Sequence, residues 1–311
     1  MNSTQYLTTM LGALIRAPPE QALMYLEPLK FLEDKMPNSV IENMTLGGFN
    51  KWLGCSILSN PSKMPNDAFN IPVSRCKSAK HMHKLKGAIC AKCYCKGRHY
   101  AYGVVKKALE KRYHFAISRD FVPVMSSYLT KRRKSLMNYY GKNFKKKFGH
   151  DKYRFRWFDS GDLQSPKMLD DICKICRNTP EIIHWLPTRE WKTVRLYLEL
   201  GFWSTDDDGN FTYKKHRELP KNLTVRLSAL MEGGKPPTKL ARRLGLQTST
   251  ALPPERLMKS KKEKKSWRKK LKRMKILCRA SEDNPSSPKG ECGSCTACWV
   301  KGVINVAYPM H

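Results

Sequence analysis

Four thiols stand late in the chain, Cys278, Cys292, Cys295 and Cys298, spaced as one cysteine, a long loop and two successive C-x-x-C steps. Soft ligands at this spacing, on a loop rich in Gly, Ser and Pro, suit a metal before any other chemistry. A second nest lies far upstream, where Cys76, Cys90 and Cys93 repeat the intervals of Cys278, Cys292 and Cys295, and Cys95 follows. Three thiolates pitched evenly around one loop are what a [4Fe-4S] cluster takes from its main ligand loop, with a fourth thiolate arriving from elsewhere. The alternative is Zn2+. Structural zinc takes two C-x-x-C turns from distant parts of a chain, and Cys90/Cys93 with Cys295/Cys298 supply those. Disulfides are the weakest reading, because 11 cysteines accompany no secretion signal. One principal cluster is expected on the C-terminal nest, since Cys95 breaks the second x-x interval upstream.

A second set of candidates lies between Tyr153 and Ala229. Asp159 and Asp162, around Gly161, offer carboxylates for a divalent cation, a ribose hydroxyl or proton transfer, while Arg189 and Arg226 offer clamps for a phosphate or carboxylate. The plainer alternative is that Asp162 caps the following helix and Arg226 pairs with Asp159. These residues are placed by alternating elements. YRFRWFDSGDL reads as a strand ending in a turn, SPKMLDDICKICRN as a helix opened by Ser165-Pro166, and EIIHWLPTRE as a strand. WKTVRLYLELG follows as a helix closed by Gly201, and NLTVRLSALM as a third strand. Strand, helix, strand, helix, strand implies a parallel sheet with right-handed crossovers, whose carboxyl ends collect ligands. The candidate polar residues fall at those ends. Cys173 and Cys176 form another C-x-x-C, but helical spacing puts them beside Ile172 and Ile175 on one apolar face, so core packing is expected.

Charge narrows the partners. The 311 residues carry 59 Lys+Arg against 26 Asp+Glu, a net charge of +33, which predicts attraction to a polyanion. Hydrophobic content of 41% supports a real core. No apolar run approaches the roughly 20 residues of a spanning helix, so no membrane is expected and the host cytoplasm is. KRRKSLMNYYGKNFKKKFGH interleaves Tyr139, Tyr140, Phe144 and Phe148 with cations, a composition suited to single-stranded nucleic acid or equally to a solvated helix with its rings turned inward. KSKKEKKSWRKKLKRMKIL, read as a helix, puts Trp267, Leu271 and Met274 on one side and cations on the others. Residues 1–45 read as a helical extension with apolar positions at helical intervals. Residues 46–311 read as one α/β domain bearing a basic insert at 259–275 and a cysteine-rich loop at 278–298.

C-x-x-C-Y after the upstream Cys76, then RWFDSGDL, HWLPTRE, NLTVRLSALM and CGSCTACW followed by VINVAYPMH, resemble in order the bacteriophage family called gene product 88. The likeness runs from about Gly47 to His311 and implies a phage protein without implying a reaction. The expected architecture is α/β, a parallel, part-barrel sheet with cysteine-rich metal loops at both ends of the core. The expected function is a metal-cluster protein, [4Fe-4S]-binding on Cys278, Cys292, Cys295 and Cys298, acting on or bound to nucleic acid. The alternative is a zinc-stapled basic module without chemistry. Whether the chain is an enzyme, and its oligomeric state, are left open by the sequence.

Overall fold

A computed structural model describes residues 35–148, 150–199, 202–205, 211–214, 216–253, 257–273, 277, 278, 280 and 290–309. Most of the expected helical extension, residues 1–34, lies outside the described residues, as does the Asp206–Asn210 turn. In chain order the elements are α1 (Asn38–Asn43), α2 (Leu46–Leu53), β1 (Ala68–Phe69), α3 (Lys77–Met82), α4 (Gly103–Ala116), α5 (Phe121–Tyr140), α6 (Phe144–Phe148), β2 (Arg154–Trp157), α7 (Pro166–Asn178) and β3 (Ile183–Thr188). They continue with α8 (Trp191–Glu199), β4 (Phe202–Thr205), β5 (Phe211–Lys214), β6 (Leu223–Ser228), α9 (Thr238–Arg243), β7 (Gln247–Leu252), α10 (Lys261–Arg273) and β8 (Asn305–Pro309).

Six strands form one sheet in the order β1-β2-β3-β6-β7-β8, and every neighbouring pair is parallel. β4 and β5 make a separate antiparallel hairpin within the crossover from β3 to β6. Strands laid down in sequence order with right-handed crossovers send their helices to one face, as in part of a barrel. Alternation along each strand then sorts the side chains. Phe155, Trp157, Leu186, Leu223, Val225 and Leu227 share one core with α5, α7 and α8. Arg154, Arg156, Trp185, Thr224 and Arg226 alternate onto the other, inner face.

Local signals account for the central helices. Ser165 Oγ accepts from Met168 N (3.1 Å) and Pro166 sits in the first turn, so α7 starts where the sequence says it should. Its apolar face, including Cys173 and Cys176, is fully buried in the helix-side core. α1 and α2 join the same core through Ile41 and Phe49, and Lys131 Nζ on α5 donates to the carbonyls of Glu42 (2.6 Å) and Met44 (2.7 Å).

The exit of β2 is the sharpest bend in the sheet. Phe158 has a left-handed φ of 58° and Gly161 one of 83°. A Cβ at Gly161 would stand 2.7 Å from the Ile71 carbonyl oxygen, so only glycine fits there. Asn70 Oδ1 accepts from Asp159 N (2.7 Å) and Ser160 N (3.1 Å), pinning this bend to the loop that follows β1.

Candidate functional site

The four C-terminal thiols are brought to the inner face by backbone ties from three directions. Cys278 N donates to Ala307 O (2.8 Å) along β8, and Cys292 N donates to Lys63 O (2.9 Å) on the segment ahead of β1. Cys295 N closes a turn on Cys292 O (2.9 Å), and Cys298 sits in a 3-10 turn, Ala297–Trp299. All four lie within electrostatic reach of one another, and Arg156 acts on Cys292 and Cys298. Burial pushes the Cys298 thiol up to about 12, while a hydrogen bond with Tyr308 Oη (2.9 Å) opposes the rise.

Arg226 fixes the loop that carries Cys298. Its Nε donates to Cys298 O (3.0 Å), Nη1 to Thr248 O (3.2 Å) and Val303 O (2.8 Å), and Nη2 to Ala297 O (2.7 Å) and Val300 O (3.0 Å). A guanidinium has five N–H groups, and each meets a carbonyl here. The side chain is fully buried. Thr224 Oγ1 adds a bond to Trp299 O (2.8 Å), and Trp299 packs edge-on against Trp185 at 5.2 Å.

The other arginines of this face are not so provided for. Arg156 stacks over the Trp185 ring at 4.9 Å, and its Nη1 reaches Asp159 Oδ1 (2.7 Å). Its Nε, the Nε and Nη1 of Arg154, and Trp185 Nε1 are buried without a hydrogen-bond partner. Arg154 is also within electrostatic reach of Cys295.

The first nest occupies a different place, over the carboxyl ends of the central strands. The loop after β1 is pinned there by Ile89 N to Leu230 O (3.0 Å), Glu232 N to Gly87 O (2.8 Å) and an isolated bridge between Ala88 and Met231. Cys76 lies within electrostatic reach of Cys90, Cys93, Asp162 and Glu190, and Arg189 acts on Cys90 and Cys93. A hydrogen bond from Cys95 brings the Cys93 thiol down to about 6, against burial, with Arg189 and Lys96 assisting. Burial pushes the Asp162 carboxyl up to about 6, even though Leu163 N (2.8 Å), Thr188 Oγ1 (2.6 Å) and Arg189 N (2.9 Å) all donate to it. Glu190 Oε1 accepts from Ser78 N (2.7 Å) at the start of α3.

Of the residues singled out by sequence, Asp159, Asp162 and Arg189 come together at this edge, whereas Arg226 lies under the C-terminal nest. Asp162 ties β2 to β3 instead of capping α7. Asp159 pairs with Arg156, not with Arg226, and its Oδ2 also accepts from Tyr100 Oη (2.8 Å). Among the described residues, no group of three or more His, Cys, Asp or Glu side chains is disposed, as the side chains stand, to hold a metal ion. Sequence reading missed Arg154, Arg156, Trp185 and Tyr308. The signal for the first two was available: in RFRW, a strand that buries both aromatics on one face must turn two arginines to the other.

The basic segments divide. Phe144 is buried in the helix-side core, Tyr140 and Phe148 pack against it, and Tyr139 alone of the four rings is 81% exposed. In α10, Trp267 is buried and its Nε1 donates to Pro253 O (2.8 Å), while Lys261, Lys262, Lys264, Lys265 and Lys269 are exposed. No helix among the described residues is long and apolar enough to cross a membrane.

A family model described as Gene product 88 matches residues 41–301. No curated protein and no solved structure matches the chain.

Proposed function

The chain belongs to the phage gene product 88 family, and from that premise we propose that it carries a [4Fe-4S] cluster on Cys278, Cys292, Cys295 and Cys298 and works bound to nucleic acid. The observation that carries the reading is the meeting of those four thiols with buried, partnerless N–H groups of Arg154, Arg156 and Trp185. An unmade buried hydrogen bond costs ~1–3 kcal/mol, more for a charged group, so donors collected around one spot call for an acceptor. An iron-sulfur cluster ligated by thiolates is anionic and its sulfides accept N–H bonds, which answers both the charge and the donors. Zinc in the same nest is anionic too, but brings no inorganic sulfide. When bound, the cluster supplies one-electron chemistry. The chain's own part is to hold the loop through Arg226, exclude water with Trp185 and Trp299, and favour the more negative state through Arg154, Arg156 and the Tyr308 hydroxyl.

Support for nucleic acid is electrostatic. The net charge is +33, and α10 is docked by Trp267 with its lysines turned to solvent. Anaerobic reconstitution with iron and sulfide tests the first half: broad visible absorption and about four irons on the C-terminal nest are expected. A colourless chain holding stoichiometric zinc after the same treatment would overturn it. Anisotropy titrations with single-stranded and duplex oligonucleotides test the second half. Affinity should fall steeply with salt, and no binding even at low salt would remove nucleic acid from the reading.

A further inference from the structure

The C-terminal nest has four cysteines and a ring of cations, while the first nest has three cysteines in mutual reach and sits where parallel sheets present ligands. Cys95 is a poor fourth member. Its Sγ is directed at the Asp159 carbonyl (3.7 Å) and it donates to Cys93. His83, on the same loop, has Nδ1 at the Cys90 carbonyl (2.9 Å). The nearby carboxylates are engaged as positioning residues: Asp162 holds three donors across β2 and β3, and Glu190 Oε1 holds the backbone of Ser78, two residues after Cys76.

Arg189 completes the arrangement. Its backbone N is fixed by Asp162 Oδ2 (2.9 Å) and its Nε by Ala229 O (3.3 Å), which steadies the guanidinium between the ends of β3 and β6 and beside Cys90 and Cys93. A planar guanidinium recognises carboxylates by paired N–H bonds. We infer that Cys76, Cys90 and Cys93 hold a second iron-sulfur cluster with one iron lacking a protein ligand, and that this iron, facing Arg189, takes a small chelating carboxylate. The location follows the general rule that ligands of singly wound β/α sheets bind at the carboxyl ends of the strands. Two centres of unlike ligation in one chain imply unlike work: a closed cluster that holds the inner face, and an open one that meets a ligand.

Iron counting tests the ligand set independently of the C-terminal cluster. Reconstituted wild-type chain should bind about eight irons, and the triple variant Cys76→Ser/Cys90→Ser/Cys93→Ser about four. The complementary variant Cys292→Ser/Cys295→Ser/Cys298→Ser should keep the other four or so irons. A wild-type count of about four that is untouched by the first variant overturns this inference and leaves the C-terminal cluster standing. About four irons lost only with the first variant does the reverse. The wild-type count decides even if a triple variant fails to fold. The open iron is read with lactate as the probe: the electron paramagnetic resonance spectrum of the reduced protein should shift on its addition. Arg189→Gln should keep the iron and weaken lactate binding at least tenfold. An unshifted spectrum overturns the open position.

Discussion

The two faces of the central sheet are built on opposite principles. On the helix side, Phe155, Trp157, Leu186, Val225 and Leu227 close a core with α5 and α7, and the one histidine that β3 contributes is neutral. His184 stacks on Trp157 at 6.0 Å, bonds Thr179 Oγ1 through Nε2 (3.0 Å), and burial brings its pKa down to about 3. On the inner side the same strands present Arg154, Arg156 and Arg226, which stay charged at any ordinary pH. The helix side satisfies itself by apolar contact. The inner side satisfies Arg226 with five carbonyls of its own loop and leaves Arg154 and Arg156 with buried N–H groups unpaired. One face is complete as a folded chain, and the other is shaped for something anionic.

The largest test of this contrast is Arg226→Ala, which strands five buried carbonyls. At ~1 kcal/mol per bond the loss is about 3–5 kcal/mol, read by urea denaturation, with metal binding at the C-terminal nest lost alongside. Arg226→Lys should rescue only part of it, because an ammonium has three donors and no planar fork. A loss under about 1 kcal/mol would mean that the loop holds itself.

Next in size is metal removal. Ligation couples to folding, so chelation, or Cys298→Ser, should lower stability by roughly 3–4 kcal/mol relative to the saturated protein. Amide exchange should locate the loss in residues 297–309, with β2 and α7 still protected. Uniform loss of protection would dissolve the distinction between the faces.

A smaller effect belongs to the helix side. His184 is neutral when folded and takes up a proton near pH 6.5 when unfolded, so its contribution is full above that pH and is lost as pH falls towards about 3. The slope approaches about 1.4 kcal/mol per pH unit for this single proton. His184→Gln should flatten it, as measured by denaturation midpoints from pH 7 to pH 4. The smallest change in stability is expected for Lys261, Lys262, Lys265 and Lys269 replaced together by Gln: within about 0.5 kcal/mol. The salt dependence of oligonucleotide binding should nonetheless drop by about one unit for each phosphate contact removed.

Much of the fold was legible because its strongest signals are local. Ser165-Pro166 opened α7 as expected, RWF and HWLPT lie in parallel neighbours, and the apolar spacing of Phe121 to Tyr140 gave α5 its observed limits. The outer strands were less visible. β1 is two residues beside a Pro-rich stretch, and β7 is built of Thr and Ser whose strand character comes from pairing with β6 and β8. Of the candidate site, the cysteines and strand-end residues could be named, since chemistry and turn position both mark them. Their companions could not. Arg156 and Trp185 are separated by many residues and meet only because β2 and β3 pair in register, with Arg156 opposite Trp185.

Sequence by itself determined which residues can ligate or ionise, the alternation of strand and helix, and the family, because each is written in residue type and short spacing. Tertiary structure alone decided what those residues face. It put Arg226 on five carbonyls instead of a ligand, Asp162 between two strands instead of on a helix cap, and the two cysteine nests on different parts of one sheet. Hydrogen-bond partners and buried neighbours depend on register and on the side of the sheet to which a chain returns, and those are set by long-range packing.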